Sequence, residues 1–109
     1  MPTATFWHLI NQAAAAAPTD NEAKEQYLVN ALTTRPPEDI IGFELTLRQL
    51  IIEADDFGIM GAQKIIDGYV TDDSYLYFRC WLIGQGEAVF TAALPAPDSL
   101  AAVAPDPYA

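Results

Sequence analysis

The chain reads as a series of apolar stripes at helical spacing, broken at intervals by proline, glycine and acidic pairs. The clearest stripe is Ile40, Phe43, Leu47, Leu50 and Ala54, whose spacings of 3, 4, 3 and 4 residues keep them on one face of an α-helix. Ile41, Leu45 and Ile52 widen it. Pro36-Pro37-Glu38-Asp39 marks its start: proline is tolerated in a first turn, where its missing amide has no intrahelical partner, and the two carboxylates suit the positive end of the helix dipole. Asp55, Asp56 and Gly58 end it. A second strongly apolar segment runs from Ser74 to about Gln85, where Tyr75, Leu76, Tyr77, Phe78, Trp81, Leu82 and Ile83 cover most of the circumference. A helix apolar nearly all round belongs in the middle of a fold. Thr71-Asp72-Asp73 opens it and Gly86 ends or kinks it.

The remaining segments follow the same logic. A first helix, capped by Thr3 or Thr5, carries Phe6, Trp7, Leu9 and Ile10 into the alanine run Ala13–Ala17, which favours helix and leaves a slim face. Pro18-Thr19-Asp20 ends it and starts a second, whose stripe is Ala23 or Tyr27, Leu28, Ala31 and Leu32. Ile59–Asp67 is a shorter helix with Ile59, Ala62, Ile65 and Ile66 inward, and Gly68 is placed for a left-handed terminus. Glu87–Leu94 makes a short sixth. The expected fold is therefore all-α, a compact orthogonal bundle of five to six helices around a central aromatic-rich helix. Residues 1–94 form one helical domain and 95–109 a Pro/Ala-rich tail, in which Pro97-Asp98-Ser99-Leu100 can open one helical turn. Ile40, Phe43, Leu47, Leu50, Phe78, Trp81 and Leu82 are expected in the core.

Charge narrows the partners. Fifteen acidic residues face five basic ones, a formal net charge of −10. The basic residues Lys24, Arg35, Arg48, Lys64 and Arg79 are scattered, so no cluster exists to displace counterions from a phosphate backbone, and nucleic acid and anionic membranes are not expected partners. The same field favours a basic protein and speeds encounter with it. No apolar run approaches the roughly 20 residues that span a bilayer. Phe6–Ile10 is too short for a secretory core and no Lys or Arg precedes Lys24. With one cysteine, Cys80, a disulfide within the chain is impossible. A cytoplasmic location is expected.

Several motifs resemble a known family. Phe6-Trp7-His8-Leu9-Ile10, Phe43-Glu44, the run Asp72-Asp73-Ser74-Tyr75-Leu76-Tyr77-Phe78-Arg79-Cys80-Trp81-Leu82-Ile83-Gly84-Gln85-Gly86, and Pro97-Asp98-Ser99-Leu100 are similar to the bacterial domain-of-unknown-function family 4240 (DUF4240). The long run is the specific part. Ile59-Met60 departs from that family's Leu-Trp pair, and Leu76 or Tyr75 stands where it has a phenylalanine. The resemblance implies an all-helical fold and no particular activity.

The candidate chemistry is sparse. Arg79 lies in the most apolar segment and needs a partner, because an unpaired buried guanidinium is very costly. Glu44, also a lone charge in an apolar helix, is the expected partner in a structural ion pair. The functional alternative joins Arg79 with Tyr75, one turn earlier, and with Asp72 and Asp73 in an anion-binding or enzymatic site. Adjacent acids at a helix start are otherwise explained by capping, and no calcium-loop spacing is present, so no metal and no cofactor are expected. His8 falls on a polar helix side with Gln12 and lacks a relay partner. Cys80 has an apolar setting that predicts an inert thiol. Gly84-x-Gly86 follows a helix and lacks a third glycine, so it is no nucleotide loop. Trp7, Phe43, Tyr75, Tyr77, Phe78, Trp81 and Phe90 suit a core, or alternatively a ligand pocket. The leading expectation is a small acidic protein-binding module of the immunity-protein or antitoxin kind, with Glu38, Asp39, Asp55 and Asp56 contributing to the partner face.

Overall fold

A computed structural model describes residues 1–103 and contains six α-helices and one terminal 3-10 turn. They are α1 (Thr3–Ala16), α2 (Asn21–Thr33), α3 (Pro37–Glu53), α4 (Phe57–Asp67), α5 (Asp72–Gly84) and α6 (Glu87–Ala93), followed by the turn Pro97–Ala102. There is no strand among the described residues. The part of the proline-rich tail from residue 104 onward lies outside them.

Local chemistry explains most of the boundaries. Asp20 caps α2 by accepting from the Ala23 amide. Asp56 caps α4 by accepting from Gly58 at 2.7 Å, so this acid, expected to end the preceding helix, also starts the next. Thr71 and Ser74 form a reciprocal capping box for α5, each side chain accepting from the other's backbone amide. The expected threonine cap of α1 is not used: the helix begins at Thr3 itself, after Pro2, with no side-chain cap. Gly68 takes the left-handed conformation, φ 82°, that closes α4. At Gly86, φ 105° turns the chain sharply between α5 and α6, and the first α6 amide, Glu87 N–H, donates to Asn11 Oδ1 of α1 at 3.0 Å.

α5 is the central helix and packs against each of the other five α-helices. Its residues Tyr75, Phe78, Leu82 and Ile83 are buried with Phe6, Trp7, Leu9 and Ile10 of α1, Phe43 and Leu50 of α3, Ile59 of α4, and Phe90 and Ala93 of α6. Phe6 stacks near Phe43 with ring centroids 4.8 Å apart, and Trp7 packs on Phe90 at 5.4 Å. Leu100 of the terminal turn is 1% exposed, so the core continues past Leu94. Leu28, Ala31 and Leu32 of α2 pack against the core edge, and Lys24 on the same face is buried among them. That burial lowers the lysine's pKa, since it disfavours the ammonium form.

The α3 stripe is narrower than expected. Phe43 and Leu50 are buried and Leu47 packs partly against the core, but Ile40 is 43% exposed. α3 is covered mainly by α1 and α5, which reach one side of it. Ile40 lies on the flank of that contact, and Ile41, Leu45 and Ile52 lie opposite it. Trp81 is likewise half-buried, at the edge of α5.

Candidate functional site

The ion pair expected between Arg79 and Glu44 is not formed. Glu44 accepts from Arg48, four residues on along the exposed side of α3, at 2.8 Å. Arg79 instead donates from Nη1 to the Ile51 carbonyl at 2.8 Å and from Nε to the Tyr75 carbonyl at 3.4 Å. Its guanidinium lies over the Tyr75 ring, 4.3 Å from the centroid. The physical reason is positional. Arg79 faces the C-terminal end of α3, where the last carbonyls lack intrahelical donors and the helix dipole is negative. Glu44 lies about two helical turns before Ile51 on α3, where Arg48 engages it instead.

Tyr75 serves the same helix end. Its hydroxyl accepts from the Asp56 amide at 2.9 Å and faces the carbonyls of Ala54 and Asp56 at 3.3 and 3.2 Å. Burial, first, and then the carboxylate of Asp55 push this phenol's pKa up, while the Asp56 amide and Arg79 pull the other way. Tyr75 and Arg79 together therefore finish α3 and join it to the start of α4. Cys80, beside them, is half-buried, and burial raises its thiol pKa against the opposing influence of Arg79.

The acidic candidates are dispersed. Asp72 and Asp73 are exposed in the first turn of α5, with the capping done by Thr71. Glu38 and Asp39 begin α3, where Asp39 pairs with Arg35 at 3.3 Å. Asp55 and Asp56 follow its other end, about 25 Å away at the rise of an α-helix. Between the two acidic ends runs an exposed apolar row: Ile41, Leu45 and Ile52 are 58%, 62% and 65% exposed. Their spacing, with Arg48 in the same line, places them on one face. His8 is exposed on α1. Among the described residues no three His, Cys, Asp or Glu side chains gather in a group suited to a metal ion, and no helix is long and apolar enough to cross a membrane.

The exposed α3 row was hidden in the sequence because it continues the buried stripe without a polar break. A second feature, an open cleft of about 380 Å³, lies beside α5 and is lined by Asn21, Ile66, Asp67, Tyr69, Ser74, Tyr77, Phe78 and Trp81. The aromatic set thus divides: Trp7, Phe43, Tyr75 and Phe90 are core, Tyr77 and Trp81 line this cleft, and Phe78 belongs to both. The spacing of Ser74, Tyr77, Phe78 and Trp81 was the available signal, since it puts them on one flank of α5.

No curated protein and no solved structure matches the chain. A family model does match, over residues 1–109, and with the motifs from Phe6 to Leu100 it places this chain in the family described as "Protein of unknown function (DUF4240)".

Proposed function

We propose that this domain is a protein-binding module whose partner is basic and meets it along the outer face of α3. The observation that carries the reading is the apolar row Ile41, Leu45 and Ile52, left open to solvent and flanked by Glu38, Glu44, Asp55 and Asp56. An apolar centre with a polar rim is the usual anatomy of a protein interface. The net charge of −10 selects against acidic partners and opposes pairing of two copies, and it attracts a protein with an apolar patch ringed by Lys and Arg. Neutralising or regulating such a partner in the cytoplasm, in the manner of an immunity protein or antitoxin, needs only this surface. The rival reading, an anion-binding or enzymatic site on Arg79, Tyr75, Asp72 and Asp73, has less support. Its guanidinium and phenol are engaged by backbone groups, and its two acids are exposed in the first turn of α5.

Affinity capture from the source cell, with the wild-type chain and a Leu45→Glu/Ile52→Glu variant in parallel, tests the proposal. A basic protein retained by the wild type, lost by the variant and released by moderate salt is the expected result. Equal recovery of the same proteins by both chains, or self-association through this face in sedimentation, would overturn it.

A further inference from the structure

The cleft beside α5 is built of two unlike walls. One is aromatic: Phe78 forms its buried base, Trp81 packs on Phe78 at 5.4 Å between ring centroids, and Tyr69 and Tyr77 stand at the mouth, 58% and 69% exposed. The other is polar and carries a single charge, the carboxylate of Asp67, beside Ser74 and the neutral amide of Asn21. Asp67 closes α4 with its carboxylate at the negative end of that helix. Ser74 Oγ has given its proton toward the Thr71 carbonyl at 3.1 Å and accepts from Thr71 N–H and from Gln63.

Gln63 braces this wall from behind. It is wholly buried, and its Nε2 donates to two cleft residues, to Asp67 Oδ2 at 3.2 Å and to Ser74 Oγ at 3.1 Å. That orientation is forced, because a carboxylate only accepts. The amide's other atom, Oε1, is left buried with no hydrogen-bond donor. A buried acceptor without a partner costs about 1–3 kcal/mol. The polar wall is therefore negatively charged, with Asp67 held in place from behind by Gln63. The nearest basic residue along α4, Lys64, is exposed and does not line the cleft.

From this we infer that the cleft is a binding site for a primary alkylammonium group. Its N–H bonds would meet the Asp67 carboxylate, and its methylenes and charge would lie against the faces of Tyr69, Tyr77 and Trp81. Aromatic faces attract cations through the ring quadrupole, and a carboxylate at a helix C-terminus adds to the attraction. An anion would be repelled by the Asp67 carboxylate and by the ring faces. The group can come from a free amine or from a lysine side chain, and the site does not depend on the α3 face.

The test is a titration of the ¹⁵N-labelled chain, followed by amide and indole N–H shifts, with n-butylammonium, with n-butanol, and with N-acetyl-lysine-methylamide as the protein-borne form. Saturable shifts confined to residues 63–81 with n-butylammonium, and none with n-butanol, are expected. Tighter binding of the lysine derivative assigns the site to a protein side chain, and tighter binding of the amine assigns it to a free ligand. Asp67→Asn keeps the acceptor for Gln63 and removes the charge, and Tyr77→Ala removes an exposed ring. Each should weaken binding roughly tenfold with the melting temperature little changed. Equal shifts from butanol and butylammonium, or undiminished binding to Asp67→Asn, would overturn the assignment.

Discussion

At the residue scale, the arginine in the apolar helix illustrates how a costly group is made tolerable. Arg79 needs no carboxylate, because the exposed carbonyl of Ile51 and the Tyr75 ring meet it instead. The charge and the orphaned helix end offset one another. Tyr75→Phe removes the hydroxyl that joins α3 to α4 and leaves the Asp56 amide short of a partner. Chemical denaturation should show a loss of about 1–3 kcal/mol. The same variant has a signature in alkali. The folded chain holds the Tyr75 proton to higher pH than the unfolded chain does, so stability due to this group is complete below the ordinary tyrosine pKa of about 10 and declines above it. That decline should be smaller in Tyr75→Phe than in the wild type. An identical pH profile for both would show that the phenol contributes nothing.

At the element scale, α3 has one face that stabilises and one that does not. Phe43→Ala or Leu50→Ala opens a cavity in the core and should cost about 2–5 kcal/mol, read from thermal or denaturant melts. Ile41→Gln and Ile52→Gln, on the open face, should stay within about 0.5 kcal/mol of the wild type. The contrast marks what the sequence could and could not reveal. The helices were legible because proline, acid and glycine punctuation coincides with the ends of apolar periodicity, as at Pro36-Pro37 and Gly68. Which side of a wide stripe turns inward was not, because Ile40, Ile41 and Ile52 carry the same chemistry as Phe43 and Leu50. Only the placement of α1 and α5 separates them. The partner of Arg79 was hidden for a related reason: a backbone carbonyl at a helix end leaves no mark in the sequence, whereas Glu44 does. The cleft fell between these cases. Its α5 residues share a readable flank, but Asp67 and Tyr69 join them only through the turn at Gly68.

At the scale of the whole molecule, charge governs which encounters are productive. The globule is about 40 × 27 × 23 Å and carries ten more acids than bases. Each of its two ion pairs among the described residues is local to a helix or its start, Arg35–Asp39 and Arg48–Glu44, so they leave most of the acidic field uncompensated. Duplex or single-stranded DNA should therefore show no binding at micromolar protein and physiological salt in a fluorescence-anisotropy titration.

The junction between α1 and α6 has a bearing on how the chain acquires its order. α6 is seven residues long, too short to persist alone in water, and the side chain that receives its first amide belongs to Asn11, 76 residues earlier. Closing so long a loop is paid for in chain entropy before the contact returns anything. α6 has packing partners near in sequence, α5 and the terminal turn, but its first amide is satisfied only when the two ends of the domain meet. The N-terminal and C-terminal helices are thereby coupled, and loosening α1 should fray the first turn of α6.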